Sequence, residues 1–234
     1  MEKTIQRKTI LRDSNIEILR LLAMMMVLIV HANGLANGFP SIEEIKLAPM
    51  ASTTRIMTQS FSIVAVNVFV LISGWFGIRF SFKSFMNIVY QAAFYSMLAI
   101  VFCLIYDKDL ITAKSLYTEI FGGDGYWFIS AYLLLMLLSP VLNKYVETAP
   151  RETQMTVIIS FLFFQSLCLL DVFDNAHFHN GYSCISFIGL YLIARYVRLF
   201  NPSFARYSMS RDLKIYLTAC GAMGGEYCFH TYFL

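Results

Sequence analysis

Glu17, Arg20 and His31 stand in a run that is otherwise almost wholly apolar, "NIEILRLLAMMMVLIVH" over residues 15–31. Their types can move a proton and hold an anion. A neutral imidazole, with an ordinary pKa of about 6.5, can take the proton from a weak hydroxyl nucleophile at cellular pH. A guanidinium stays charged and can hold phosphate groups or steady developing negative charge. At about 100° per residue, the step from Arg20 to His31 is three turns plus about 20°, so the two share one helix face, about 16 Å apart along the axis. Glu17 precedes Arg20 by three residues, lies on the same side and can pair with it. Two readings are open on these residues alone. The three form a polar stripe facing the interior of a bundle or a water-filled cavity, or Arg20 snorkels to the head groups while His31 merely ends a helix at the interface.

The element that must carry them is a membrane helix. The chain has 234 residues, of which 58% are hydrophobic and only 14% charged. That is more apolar surface than a soluble domain of this length can bury, so an all-α, polytopic transmembrane helical bundle is expected, with the lipid bilayer as first partner. The net charge of +3 is too small to point to nucleic acid. Crossing roughly 30 Å of hydrocarbon takes about 20 helical residues. Segments of that kind fall at about 15–33, 59–78, 84–106, 126–143, 154–171, 182–200 and 213–234, which predicts about seven membrane-spanning helices. Short connections without linkers or repeats predict one transmembrane domain, 15–234, behind an N-terminal segment, 1–14.

Charge sets the expected orientation, because positive loops stay in the cytoplasm. No small-residue cleavage site follows the first apolar run cleanly, so a retained first helix with a cytoplasmic N-terminus is expected. The inner segments then hold Lys3, Arg7, Lys8, Arg12, Arg79, Lys83, Lys144, Arg151, Arg195, Arg198, Arg206, Arg211 and Lys214. The outer loops hold only Lys46, Arg55, Lys108 and Lys114. A missed helix would scramble this asymmetry, so it supports the count of spans as well as their direction.

Other polar residues have two readings each. Asn67 and Ser73 either line a cavity or hydrogen-bond between helices. Trp127 and Ser130 open the fourth span, where tryptophan is first a membrane-belt anchor. His177 and His179 lack a third ligand and helical spacing, so a solvated loop is favoured over a metal site. Glu226 is an intramembrane carboxylate with no evident partner. The five cysteines, Cys103, Cys168, Cys184, Cys220 and Cys228, lie in apolar segments without metal-ligand spacing, so neither disulfides nor a metal nor a bound cofactor is expected.

The stretch "NIEILRLLAMMMVLIVH" resembles the opening of the acyltransferase-3 family of membrane O-acyltransferases, whose first helix carries an acidic residue, a Leu-Arg pair and a histidine after ten intervening residues. Three further stretches resemble the family in the same order: "VNVFVLISGWF" (66–76), "GYWFISAYLLLMLLSPVLN" (125–143) and "FIGLYLIARYVRLF" (187–200). The resemblance implies an inner-membrane enzyme that moves an acyl group, usually acetyl from acetyl-CoA, to a hydroxyl of a surface glycan or its lipid-linked sugar precursor. By position it makes His31 and Arg20 the essential catalytic pair, with Glu17 beside them, and gives Asn67, Ser73, Trp127 and Ser130 substrate-facing candidacy. Where the family commonly has an arginine-rich stretch, this chain reads "IRFSFKSFMNIVYQ", leaving Arg79 and Lys83 as the candidates on the CoA side. The family builds more helices than the seven expected here, so a shortened member is expected. A transporter component and a non-catalytic remnant or interaction protein are the alternative classes, the former disfavoured by the lack of repeats and of paired broken helices. Oligomeric state is left open.

Overall fold

A computed structural model describes residues 14–36, 38–106, 126–169, 178 and 181–233. The N-terminal stretch 1–13 and the His177 and His179 pair lie outside the described residues, and of Glu226, which falls within the last helix, only the backbone is described. The described residues are all-α, without a strand: α1 (Ser14–His31), α2 (Ile42–Leu47), α3 (Pro49–Ser62), α4 (Ala65–Phe76), α5 (Phe82–Tyr106), α6 (Trp127–Thr148), α7 (Arg151–Leu169), α8 (Cys184–Phe200) and α9 (Met209–Phe233). Each of the seven expected spans has its helix. Four stretches among the described residues, Ser14–Gly34, Pro49–Phe76, Phe82–Tyr106 and Trp127–Thr148, are long and apolar enough to cross a membrane.

Two boundaries differ from expectation for physical reasons. The second span begins at Pro49 rather than near 59, because Pro49 sits in the first turn of α3, where its missing N–H costs no hydrogen bond. The "LISG" residues stay helical within α4, and the turn comes at Gly77, whose φ of +78° suits a residue without Cβ.

The chain divides into two compact units, 1–72 with 206–234, and 73–205. In the first, α1, α2 and α9 all lie against α3. Small residues let α3 and α9 approach: Ser60 is buried on α3, and Gly224 of α9 stands where a Cβ would meet the Met57 side chain at 2.8 Å and Ser60 Oγ at 3.4 Å. Such small-residue contacts are how helices associate where lipid is as apolar as the side chains. The outer surface of α1 is lipid-suited, with Leu21, Met24 and Leu28 exposed and only Ala23 buried.

In the second unit α8 packs on both α6 and α7, and α5 packs on α6. Phe187 and Tyr191 of α8 are fully buried, and the Phe161 ring of α7 occupies the space a side chain at Gly189 would take. Pro140 lies inside α6 and lacks the N–H that would bond the Met136 carbonyl; the Ser139 hydroxyl donates to that carbonyl instead, at 2.7 Å. Gln154, buried, closes the α6–α7 turn by donating to the carbonyls of Val146 and Ala149, both at 3.0 Å. Buried as they are, these groups find their partners within the chain.

Candidate functional site

The first-unit residues are set by α1. The helix is regular from Ser14 to His31, so the one-face register of Glu17, Arg20 and His31 expected from their spacing holds along it. Arg20 Nη1 donates to Glu17 Oε1 at 2.7 Å, with both side chains about 40% exposed (40% and 39%). His31 is exposed, and its Nδ1 lies 2.8 Å from the Val27 carbonyl oxygen. A carbonyl only accepts, so in the neutral ring this contact assigns the proton to Nδ1 and the lone pair to Nε2. The contact favours that tautomer and orients the ring, the task a carboxylate performs in many hydrolytic triads.

The backbone widens into a π turn directly after His31, over Ala32–Ala36. Such widened turns are concentrated at functional positions. Here the turn delivers Asn33 to α3, where its amide donates to the Arg55 carbonyl at 3.0 Å and to Gln59 Oε1 at 3.1 Å. Arg55 in turn donates to the Gly38 carbonyl and reaches Glu44, the residue that completes a capping box with Ser41 at the start of α2. The end of α1 is thus moored two residues beyond His31. Asn67, on α4, has a buried Oδ1 without a hydrogen-bond partner among the described residues.

The second unit gathers the other residues. Ser73 meets the Tyr132 hydroxyl at 3.3 Å. Trp127, at the start of α6, stands edge-on to Tyr182 at 4.9 Å and to Phe187 at 6.2 Å, while Phe128 contacts Phe187 at 5.7 Å and Tyr132 at 5.9 Å. Ser130 is exposed and joins none of these contacts. Arg79 and Lys83 are also exposed, flanking the start of α5.

Sequence reasoning missed a hydrogen-bonded ring beside them. The Ile78 N–H donates to the Tyr191 hydroxyl (3.1 Å), which donates to Asn143 Oδ1 (2.5 Å), and Asn143 Nδ2 donates back to the Ile78 carbonyl (2.8 Å). Both backbone groups of Ile78 are satisfied by side chains of two other helices. Gly74 makes this possible, since a Cβ there would stand 2.9 Å from the Tyr191 carbonyl and 2.8 Å from Ala194 Cβ. The ring joins the segment just beyond "LISGWF", the "SPVLN" stretch of α6 and "GLYLIARY" of α8. The available signal was that Asn143 and Tyr191 each stand as a polar residue inside an apolar helix, which asks for a partner in lipid.

A family model described as an acyltransferase domain matches residues 13–233, nearly the whole chain. No curated protein and no solved structure matches it. Among the described residues no group of His, Cys, Asp and Glu could hold a metal ion.

Proposed function

The chain belongs to the acyltransferase-3 family, a family of membrane acyltransferases, and on that premise we propose that it moves an acetyl group from acetyl-CoA to a hydroxyl of a cell-surface polysaccharide or its lipid-linked precursor. The observation that carries the catalytic part is the His31 contact to the Val27 carbonyl, which leaves Nε2 free to act as base. In this reading Nε2 takes the sugar hydroxyl proton as the oxygen attacks the thioester carbonyl. A tetrahedral oxyanion forms and collapses, the C–S bond breaks, and the imidazolium returns its proton to the departing CoA thiolate.

Arg20 takes a different part. It lies about 16 Å from His31 along α1, too far for both side chains to act on one carbonyl. Its role is to bind a remote, anionic part of the donor, with Glu17 holding its guanidinium meanwhile. In this reading the membrane is the inner one and the N-terminus is cytoplasmic, the latter supported by the distribution of positive charge. Mass spectrometry of surface polysaccharide from cells with and without the gene tests the reaction. An acetyl mass lost with the gene and restored by its return is expected; an unchanged acetylation pattern overturns it.

A further inference from the structure

Tyr191, Arg195 and Arg198 are spaced i, i+4, i+7 on α8, so they share one face. That face meets Trp75–Ile78 residue by residue. Tyr191 binds the Ile78 N–H; Arg195 Nη1 lies 3.1 Å from where a Cβ on Gly77 would stand; the Arg198 guanidinium lies 4.7 Å over the Trp75 ring. Arg195 is half-buried, and its Nε is sealed from solvent with no acceptor among the described residues. No carboxylate pairs with Arg195 or Arg198 among those residues. A guanidinium that is half-buried with a sealed, unpaired donor is costly unless something compensates it.

The surroundings favour an anion from outside the chain. A guanidinium whose carbon lies 4.7 Å over the Trp75 ring keeps N–H donors available to an anion. Gly77 has φ +78° and no side chain, so nothing at that position covers the Arg195 head. Arg79 and Lys83, both exposed, flank the same turn in sequence. A rigid fork of donors on arginine matches the oxygens of a phosphate better than it matches most other anions.

We propose that Arg195 and Arg198 form a phosphate-ester site at the Trp75–Ile78 turn, with the Tyr191–Asn143 ring as the positioning device that holds the turn. A phospholipid head group and the nucleotide portion of an acyl donor both carry this chemistry; only the second source rests on the acetyl-CoA reading above. The full chain in nanodiscs separates them. Phosphatidylglycerol retention is read by native mass spectrometry against phosphatidylcholine alone, and binding of CoA and of dephospho-CoA is read by calorimetry.

Wild-type protein is expected to bind at least one of these phosphate probes. Loss of one charged hydrogen-bonding group weakens binding by about tenfold to a hundredfold, the effect expected for Arg195→Gln, with Arg195→Lys recovering part of it. Arg198→Gln, at an exposed position, is expected to weaken the same probe severalfold without lowering Tm, and it decides the matter if Arg195→Gln does not fold. Retention of phosphatidylglycerol alone assigns the site to lipid, and binding of CoA assigns it to the donor. Wild-type protein that binds no probe above the phosphatidylcholine control overturns the proposal, as do Gln variants that bind like wild type. A phosphate site that persists in a protein with no acetyl transfer overturns only the reaction proposed above.

Discussion

Replacing Tyr191 by Phe removes one oxygen and breaks two of the three bonds in the ring. Tyr191 is 0% exposed, so the Ile78 N–H and Asn143 Oδ1 are both left unpaired where water does not reach. In soluble proteins each such orphan costs about 1–3 kcal/mol. Within membrane bundles interhelical hydrogen bonds average about 0.6 kcal/mol and reach about 1.7, because the chain unfolded in the bilayer also finds partners. The membrane scale governs here, and two orphans give about 1–3 kcal/mol. For a chain of this size about 2–4 °C accompanies each kcal/mol, so Tm should fall by roughly 2–12 °C. Thermal unfolding in detergent, followed by helical circular dichroism, reads the change. Tyr90→Phe, at a position 66% exposed on α5, is the control and should melt with wild type. Asn143→Ala should cost about as much, and the double variant should cost less than the two single losses together. A Tyr191→Phe protein that melts with wild type would refute the ring as a structural element.

Other substitutions test the remaining geometry. Gly77→Ala places a Cβ at φ +78° and against Arg195, which should cost about 1–2 kcal/mol by the same melting assay. Ser139→Ala removes the donor that replaces the missing Pro140 N–H and should lower stability by about 1 kcal/mol. Glu17→Gln should change stability by less than about 1 kcal/mol, since the pair with Arg20 is well exposed; with steady-state kinetics it should raise KM for acetyl-CoA more than it lowers kcat. In a background without native cysteines, Lys46→Cys should react with an impermeant maleimide on intact cells and Lys144→Cys only after permeabilisation. The reverse labelling would invert the proposed orientation.

The helices were legible because membrane spans announce themselves by length and hydropathy, and every expected apolar segment has its helix. The register of Glu17, Arg20 and His31 was legible too, since it needs only 100° per residue and an unbroken α1. The His31 tautomer was not, because it depends on one carbonyl a turn earlier having a ring turned back toward it. α2 and the early start of α3 escaped notice, as "SIEEIKL" and "PMASTTR" are too polar to read as membrane segments. They do carry a capping box and an N-terminal proline, signals of helix start that hydropathy ignores. Asn143 and Tyr191 escaped because each reads singly as a tolerated polar residue in a helix; only the three-dimensional approach at Gly74 makes them a pair. Arg195 and Arg198 read in the sequence as charges that orient the chain, though their spacing from Tyr191 places all three on one face.

The central claim is that His31, with Nδ1 tied to the Val27 carbonyl, removes the proton from the acceptor hydroxyl. The most direct measurement is acetyl transfer from labelled acetyl-CoA to surface polysaccharide in membranes carrying wild-type or His31→Ala protein at matched abundance. A rate lower by about 10²–10⁴ in the variant, with α-helical content and Tm unchanged, is the predicted result. A His31→Ala protein that acetylates at the wild-type rate would contradict it.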